Sequence, residues 1–302
     1  MKKLRKRMLA GTLTGVMALA LLSGCNGGSN TSAAEDTSGT DSTATADTSD
    51  RGPVLTRIAE SGKMVVATAS GYMPYEFVDI ESADQEVIGV DMALGQAIAD
   101  RLSEELGVDV EMQIENTTFT ANLAAIAADQ ADIMIAGMSP TDERRENMDF
   151  SDVYLKAEQR LMIRAEDADK FTDLSDFAGA TIAAQINTTQ ATIAHEVLTE
   201  STVTEMERIP NAVLELTTGN ADAVVIESTV AQPYLLANPD LVLSDASLPE
   251  DVLYKDTAIA VPKGNEDFLE IINDVIADCQ EKGQIDQWIK EYSAICVEQN
   301  QV

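Results

Sequence analysis

Apolar and polar positions alternate along the chain in two periods, one typical of strands and one typical of helices. Residues 91–106 carry apolar side chains at helical spacing, and residues 131–136 form a short apolar run of the strand type. The pattern continues to a helix at 266–282 and a short helix around Trp288. Strands that alternate with helices predict an α/β fold with parallel-rich sheets covered by helices on both faces.

Polar and aromatic side chains follow three of the predicted strands. Tyr72, Ser139 and Gln185 each lie just after a strand-like run. In open α/β sheets, ligands bind at the carboxyl ends of the strands, where the connecting loops gather. The sequence therefore predicts that these three residues lie at one binding site.

Residues 137–152 bring together three kinds of hydrogen-bond donor. The apolar run ends at Gly137, a hydroxyl follows at Ser139, and a short polar helix carries Arg144. Backbone N–H groups at the helix start, the hydroxyl and the guanidinium suit one carboxylate, because an arginine fork matches its two oxygens. The alternative is a solvated helix face stabilised by its own i,i+4 ion pairs.

The first 24 residues have the order of a signal peptide, with five basic residues followed by an apolar run at 8–22. The run has the length of a signal-peptide core and is short for a membrane span. Leu22-Ser23-Gly24-Cys25 resembles the bacterial lipobox, in which the peptide is cut before the cysteine and the sulfur is lipidated. A free cysteine after an ordinary signal peptide is the alternative.

Residues 25–53 would then be lipidated Cys25 and a linker of Ser, Thr, Ala, Gly and Asp. Such a segment buries too little apolar surface to fold, and as a flexible coil it spans about 30 Å on average. The expected location is the extracytoplasmic face of the cell membrane, where a lipid anchor at Cys25 holds the folded part.

Net charge bears on two classes of partner. Removal of residues 1–24 leaves 15 basic and 52 acidic residues, a net charge of −37. That charge argues against nucleic acid and anionic lipid partners. The remaining cysteines, Cys279 and Cys296, either form a disulfide or stay as thiols, and neither has neighbours typical of metal ligands.

Five separated segments resemble bacterial extracellular solute-binding proteins, family 3, the amino-acid receptors of ABC importers. The segments are 89–99, 137–152, 185–189 with the residues Gln-Ile-Asn-Thr-Thr, 221–227 with the residues Ala-Asp-Ala-Val-Val-Ile-Glu, and 259–264. They occur in order and at ordinary spacing, and the resemblance covers about residues 54–295.

The resemblance implies two Rossmann-like lobes with parallel-rich sheets and a two-segment hinge, the type II periplasmic binding protein fold. We expect lobe 1 at 54–153 and 258–296, lobe 2 at 154–257, a C-terminal tail at 297–302, and crossing segments near 152–160 and 254–257. Hinge closure would clamp a ligand between the lobes.

The resemblance also implies roles for individual residues. Arg144 is expected to bind the ligand carboxylate, with help from Ser139 and Thr189. Glu227 is expected to bind the ammonium, with the Gly137 carbonyl and Ser139 as further acceptors. Both charges need partners, because burying either one unpaired is costly. Glu227 has an alternative role as the N-cap anion of the following helix.

Tyr72 and Phe119 occupy positions where the family places aromatic residues that enclose the ligand. Phe119 is alternatively a core residue at a helix start. The chain departs from the family at Asn187, which replaces a glycine, and asparagine tolerates a positive φ. Ala69 stands where some members carry an aspartate that binds a polar or basic side chain. Gln185 and Ser70 remain candidates for that contact, so the side-chain specificity is open.

The expected protein is a monomeric receptor without cofactor or metal that delivers a free L-amino acid to the permease and ATPase of an ABC importer. An amino-acid sensor for a membrane signalling receptor is the first alternative. A cyclohexadienyl dehydratase-like enzyme is the second, and it requires a general acid with a tuned pKa. The single histidine, His195, lies in an apolar helical stretch, where a lone histidine is usually structural or at the surface. We therefore expect no catalytic residues.

Overall fold

The computed structural model describes residues 51–299. The predicted signal peptide, Cys25, the linker up to residue 50 and the last three residues of the predicted tail lie outside the described residues. None of the helices between residues 51 and 299 is long and apolar enough to cross a membrane.

Helices and strands alternate through the described chain, as the sequence pattern predicts. The helices are α1 Pro53–Ser61, α2 Val90–Leu106, α3 Phe119–Ala127, α4 Asp142–Arg145, α5 Thr189–Glu196, α6 Ile209–Thr217, α7 Ser228–Ala237, α8 Glu266–Glu281 and α9 Gln284–Glu298. The strands are β1 Lys63–Thr68, β2 Phe77–Val78, β3 Val87–Ile88, β4 Glu111–Asn116, β5 Ile133–Met134, β6 Met148–Phe150, β7 Leu155–Arg164, β8 Thr181–Gln185, β9 Thr202–Met206, β10 Ala223–Glu227, β11 Leu241–Leu243, β12 Tyr254–Thr257 and β13 Ala260–Pro262.

Two mixed sheets organise these elements. The first has the order β4-β1-β5-β13-β6, and β1 pairs in parallel with both β4 and β5. The second has the order β11-β7-β10-β8-β9, with β8 parallel to β9 and β10. All five residues of β10 are buried, which is typical of a central strand covered on both faces. The predicted α/β class with parallel strands is confirmed.

Two chain segments connect the sheets and pair with each other. β6 belongs to the first sheet, and β7 follows it into the second. On the return, β12 pairs antiparallel with the first residues of β7, and β13 rejoins the first sheet. Tyr154 N also donates to the Thr257 carbonyl at 2.9 Å. These paired crossings form a two-segment hinge, and each sheet with its helices is a lobe.

The structure differs from the sequence pattern in several elements. The helix that carries Trp288 is not short: α9 has 15 residues and extends two residues beyond the predicted limit of lobe 1. Its buried face contains Cys296 and packs against α2, α7 and α8, so tertiary contacts stabilise its full length. The pattern also does not predict α1, β2, β3, β6, β9, α6 or β11. β9 has a mixed polar and apolar composition, and β2, β3, β6 and β11 have only two or three residues each, too few to show a period.

The two remaining cysteines are thiols. Cys279 on α8 and Cys296 on α9 are both buried and free. Burial raises the pKa of the Cys296 thiol to about 12 and also raises that of Cys279. Both thiols are therefore protonated at neutral pH, and the disulfide alternative does not form in this structure.

A buried carboxylate connects α2, the hinge and the loop after β5. Asp91 lies in the first turn of α2, and it accepts hydrogen bonds from Tyr154 Oη at 2.7 Å and from Gly137 N at 2.8 Å. Burial raises the pKa of Asp91 to about 6, while these two donors oppose the shift by stabilising the ionised form. The hydrogen bonds hold the Gly137 turn against lobe 1.

We predict that Tyr154→Phe lowers the free energy of unfolding by about 2 kcal/mol, because hydrogen bonds to charged groups contribute roughly 1.5–3 kcal/mol. Without the hydroxyl, the folded-state pKa of Asp91 rises further. The folded state then binds its proton more strongly, so the destabilisation is larger at pH 7.5 than at pH 4.5. Urea unfolding at the two pH values measures both effects.

Tyr234→Phe is the matched control. Tyr234 is also buried, but its hydroxyl has no hydrogen-bond partner within residues 51–299. Its removal is expected to change stability by less than about 0.5 kcal/mol. Equal losses in the two variants would contradict the role assigned to the Tyr154 hydroxyl.

Candidate ligand-binding site

A small cavity lies between the loops of the two lobes, with a volume of about 20 Å³. Its wall includes residues from both sides of the hinge. Seven of the residues that the sequence predicts as ligand contacts line this cavity: Tyr72, Phe119, Gly137, Ser139, Arg144, Gln185 and Thr189. Glu227 lies behind this wall. The wall also contains Glu76, Gln190 and Lys255, which the sequence pattern does not mark as site residues.

Arg144 belongs to one side of the wall. α4 starts after Thr141, whose side chain accepts a hydrogen bond from Arg144 N, and this cap orients the helix. The guanidinium donates to the Ser139 and Asn187 carbonyls, both at 2.8 Å, and lies 5.2 Å from the centre of the Phe119 ring. Burial lowers the pKa of Arg144 to about 10, so the group stays charged at neutral pH. Neighbouring Arg145 is exposed instead.

The opposite side of the cavity is the N-terminal end of α5. Thr188 caps this helix by accepting from Ala191 N at 3.3 Å, and Thr189 is its first residue. Helix N-termini favour anions, because their N–H groups point outward and the helix dipole is positive there. Asn187 lies directly before Thr188 and has φ of 60°, the conformation expected where asparagine replaces glycine. Its side-chain amide donates to Thr120 Oγ1 at 2.8 Å and so joins the two lobes.

Three buried polar atoms in the wall have no partner within the described chain. Ser139 Oγ, Gln190 Nε2 and Glu76 Oε2 are inaccessible to solvent and make no hydrogen bond there. Buried polar groups in proteins are nearly always hydrogen-bonded. The three atoms therefore indicate a cavity suited to a polar ligand. Gln185, by contrast, already donates through Nε2 to the Glu207 carbonyl at 3.1 Å.

Tyr72 and Phe119 supply the aromatic part of the wall. Tyr72 stacks on Tyr75 with ring centres 5.4 Å apart, and Phe119 begins α3 after the capping residue Thr118. Phe119 also belongs to a hydrophobic cluster, so the core and cavity-wall interpretations both describe it. Ser70 is buried behind this wall, and its carbonyl and hydroxyl accept from Arg208.

Glu227 is fully buried at the end of β10 and forms an ion pair with Lys255, Oε2 to Nζ at 2.9 Å. It occupies the N-cap position of α7, but its side chain makes no capping hydrogen bond. The N-cap alternative therefore does not describe its contacts. Lys255 Nζ also donates to the Gly137 carbonyl. The only sequence signal for Lys255 is its place in β12, where exposed and buried residues alternate.

Glu76 is a second buried acid at the cavity. Its side chain is almost completely inaccessible, and Oε2 has no hydrogen-bond partner among the described residues. Burial, with a contribution from the negative charge of Asp91, raises the pKa of Glu76 well above its usual range. Burial therefore favours the uncharged form of the Glu76 carboxyl.

Other candidate chemistry lies away from the cavity. His195 is exposed on α5 and contacts Glu205, Nε2 to Oε1 at 2.7 Å, in agreement with a surface role. Across residues 51–299, no group of three or more His, Cys, Asp or Glu side chains is placed to hold a metal ion.

The sequence and the fold both match known proteins. Residues 64–294 match the model of bacterial extracellular solute-binding proteins, family 3. The arginine-binding extracellular protein ArtP of Bacillus subtilis is 28% identical over 241 residues, which cover 78% of this chain and 88% of ArtP.

Two solved structures share the fold. The amino acid ABC transporter substrate-binding protein AbpA of Streptococcus pneumoniae, bound to L-arginine, has a TM-score of 0.75 and 28% identity, covering 80% of this chain and 99% of AbpA. The ancestral amino-acid-binding protein AncCDT-1, a precursor of cyclohexadienyl dehydratase, has a TM-score of 0.69 and 28% identity, covering 79% and 98%. The architecture is that of type II periplasmic binding proteins.

We predict that Gly137→Ala lowers the free energy of unfolding by at least about 2 kcal/mol. A residue with a β-carbon is strained in the left-handed backbone region, and overpacking against a neighbouring side chain adds to that cost. Gly137 has φ of +53°, and a β-carbon there would lie 2.6 Å from Tyr72 Cε1. Urea unfolding measures the loss, and near-ultraviolet circular dichroism reports the displaced tyrosine.

Gly179→Ala is the control, since Gly179 has φ of +77° and a β-carbon there would meet no atom within 4 Å. Gly179→Ala is expected to lose only the roughly 1–2 kcal/mol that a side chain costs in the left-handed backbone region, and to leave the tyrosine signal unchanged. The same loss and the same spectrum in both variants would rule out the contact with Tyr72.

Proposed function

Because the chain belongs to the bacterial extracellular solute-binding proteins of family 3, we propose that it binds a free L-amino acid between its lobes and delivers it to the permease and ATPase of an ABC importer. ArtP and AbpA, which are similar over most of the chain, support an amino acid as the ligand. The observation that carries the proposal is the half-buried Arg144 guanidinium beside three buried polar atoms that have no partner within residues 51–299, all in one interlobe cavity.

The carboxylate of the amino acid would bind at the Arg144 side of the cavity. The guanidinium has five N–H groups, and the hydrogen bonds to Ser139 and Asn187 leave others available. Ser139 Oγ and the N-terminal end of α5 at Thr189 supply further donors. A carboxylate shared by these groups would connect α4 of lobe 1 with α5 of lobe 2 and would therefore favour the closed hinge.

The rest of the ligand would lie along the aromatic wall. Tyr72 and Phe119 would pack against its aliphatic carbons, and Gln185 would lie close to its side chain. The ammonium would lie towards Glu227 and the Gly137 carbonyl. The volume of about 20 Å³ is close to the space of one water molecule, so a ligand enters only when the lobes separate.

The proposed function also includes a lipid anchor at Cys25 and a monomeric state. Cys25 would carry the lipid that holds the receptor at the extracytoplasmic face of the cell membrane, and the monomer would need no cofactor. Delivery to a signalling receptor is the alternative use of the same binding event. An ABC permease and ATPase encoded next to this chain would favour import, whereas an adjacent sensor kinase would favour signalling.

An enzymatic role is a second candidate, and Glu76 is the observation that favours it. This buried acid lines the cavity with a raised pKa, as a general acid requires, and AncCDT-1 links the fold to a dehydratase lineage. We nevertheless propose binding without catalysis. Turnover of prephenate or arogenate by the purified protein would support the enzyme instead.

A thermal-shift screen of the mature protein against the twenty amino acids tests the proposed function. A ligand that binds only the folded state raises the unfolding temperature, by an amount that grows with its concentration. We expect one or a few amino acids to give clear shifts and 1:1 binding in calorimetry. No shift with any of the twenty would overturn the proposal.

Arg144→Ala is predicted to weaken binding of the best ligand at least about 30-fold, because leaving a buried charge unpaired costs about 2 kcal/mol or more. Arg145→Ala is the control, since this neighbouring arginine is exposed and lies over Phe150 rather than at the cavity. Calorimetry gives both dissociation constants. Unchanged affinity in Arg144→Ala would contradict the carboxylate assignment.

A further inference from the structure

Lys255 is a buried cation that reaches both lobes from the hinge. Its side chain extends from β12 and is only 4% exposed. The ammonium group lies 2.9 Å from Glu227 of lobe 2, donates to the Gly137 carbonyl of lobe 1, and lies 5.4 Å from the centre of the Tyr72 ring and 5.8 Å from that of Tyr75.

These contacts surround the ammonium with the groups that suit a cation. Glu227 lies at ion-pair distance, although neither of its oxygens makes a hydrogen bond within residues 51–299, and the Gly137 carbonyl and the Thr257 hydroxyl accept from the ammonium beside two aromatic faces. The α-ammonium of an amino acid has the same charge and the same donors as a lysine ammonium. Glu227 and the Gly137 carbonyl are also the two acceptors that the proposed function assigns to the ligand.

We propose that Lys255 is a specificity-determining residue that occupies the ammonium site in the ligand-free protein and exchanges with the ammonium of the ligand. The proposal rests on the proposed function, because it requires a ligand that carries an ammonium. Binding then replaces one cation by another at Glu227, while the Arg144 side gains a carboxylate.

Charge favours exchange over addition. Two cations in contact with one buried carboxylate would repel each other strongly, because the surroundings screen charge poorly. The ligand ammonium therefore reaches Glu227 only after Lys255 leaves.

The structure offers a second position for the lysine ammonium. Lys255 also borders a wider, more open cleft of about 400 Å³, whose wall carries Glu143, Asp251 and Asp256. Gln159 lines the same cleft, and its buried Oε1 atom has no hydrogen-bond partner in the described part of the chain. A lysine side chain is long and flexible. Rotation into this cleft would give its ammonium an amide acceptor, acidic neighbours and water.

The exchange has a consequence for selectivity. An acid without an α-amino group leaves Lys255 at Glu227, so it does not compete with the lysine. An amino acid must displace the lysine before it gains the same contacts. Lys255 therefore lowers the affinity for an amino acid relative to the same acid without the α-amino group. Removal of Lys255 raises that relative affinity.

The test is a thermodynamic cycle with two ligands and three proteins. The ligands are the amino acid with the largest thermal shift among the twenty and the acid of the same skeleton without the α-amino group. The proteins are the parent, Lys255→Met and Lys156→Met. Lys156 is the control because it lies on the facing hinge strand but is 59% exposed and contacts Asp256 rather than the cavity.

We expect Lys255→Met to bind the amino acid at least tenfold more tightly than the parent. The ratio of the two dissociation constants, desamino acid over amino acid, should rise at least tenfold. Lys156→Met should match the parent in both. Equal or weaker binding of the amino acid by Lys255→Met, or an unchanged ratio, would overturn the exchange and leave the proposed function intact.

A crystal structure of the parent with the amino acid tests the same point if Lys255→Met does not fold. We expect the ligand ammonium at Glu227 and the Lys255 ammonium in the cleft beside Gln159. Lys255 still paired with Glu227 in the complex would overturn the exchange. If no amino acid binds the parent, the proposed function fails and the exchange fails with it.

Discussion

The buried ion pair between Lys255 and Glu227 is the constraint on which the cleft depends. Glu227 at the end of β10 is fully buried and needs a positive partner, because an unpaired buried carboxylate is costly. Lys255 provides it from the hinge and reaches the Gly137 carbonyl of lobe 1 at the same time. Asp91 accepts hydrogen bonds from Tyr154 and Gly137, while burial raises the pKa of Glu76. The hinge, the Gly137 turn and both lobes thus meet at one charge cluster.

The two sides of the cavity differ in how their charges are satisfied. On one side, Arg144 donates to two backbone carbonyls and has no carboxylate partner among the described residues. On the other, Glu227 already has a cation. A backbone carbonyl offsets only part of a guanidinium charge, so under the proposed function the Arg144 side would attract an anion directly. Under the proposed exchange, the Glu227 side would accept the ligand ammonium only after Lys255 leaves. Carboxylate binding and ammonium binding would then be energetically distinct steps.

Much of the site could be predicted from the sequence because loops after parallel strands gather at one edge. That rule brings Tyr72, Ser139 and Gln185 to the cavity wall, where the structure has them. Asn187 adopts a positive φ for a reason local to its side chain. Lys255 and Glu76 were missed, since period-two alternation shows that a residue faces inward but not which partner it meets. The length of α9 was missed as well, because contacts with α2, α7 and α8 stabilise it.

The sequence by itself determined the order of strands and helices, the family resemblance and the residue types available for binding a carboxylate. These properties are local: periodicity, turn chemistry and motif spacing are written along the chain. Only the tertiary structure decided which charges meet. Glu227, Lys255 and Gly137 come from a sheet strand, a hinge strand and a loop, and their contacts depend on how these elements pack. The same packing left Cys279 and Cys296 as separate buried thiols, because a disulfide depends on distance in space rather than in sequence.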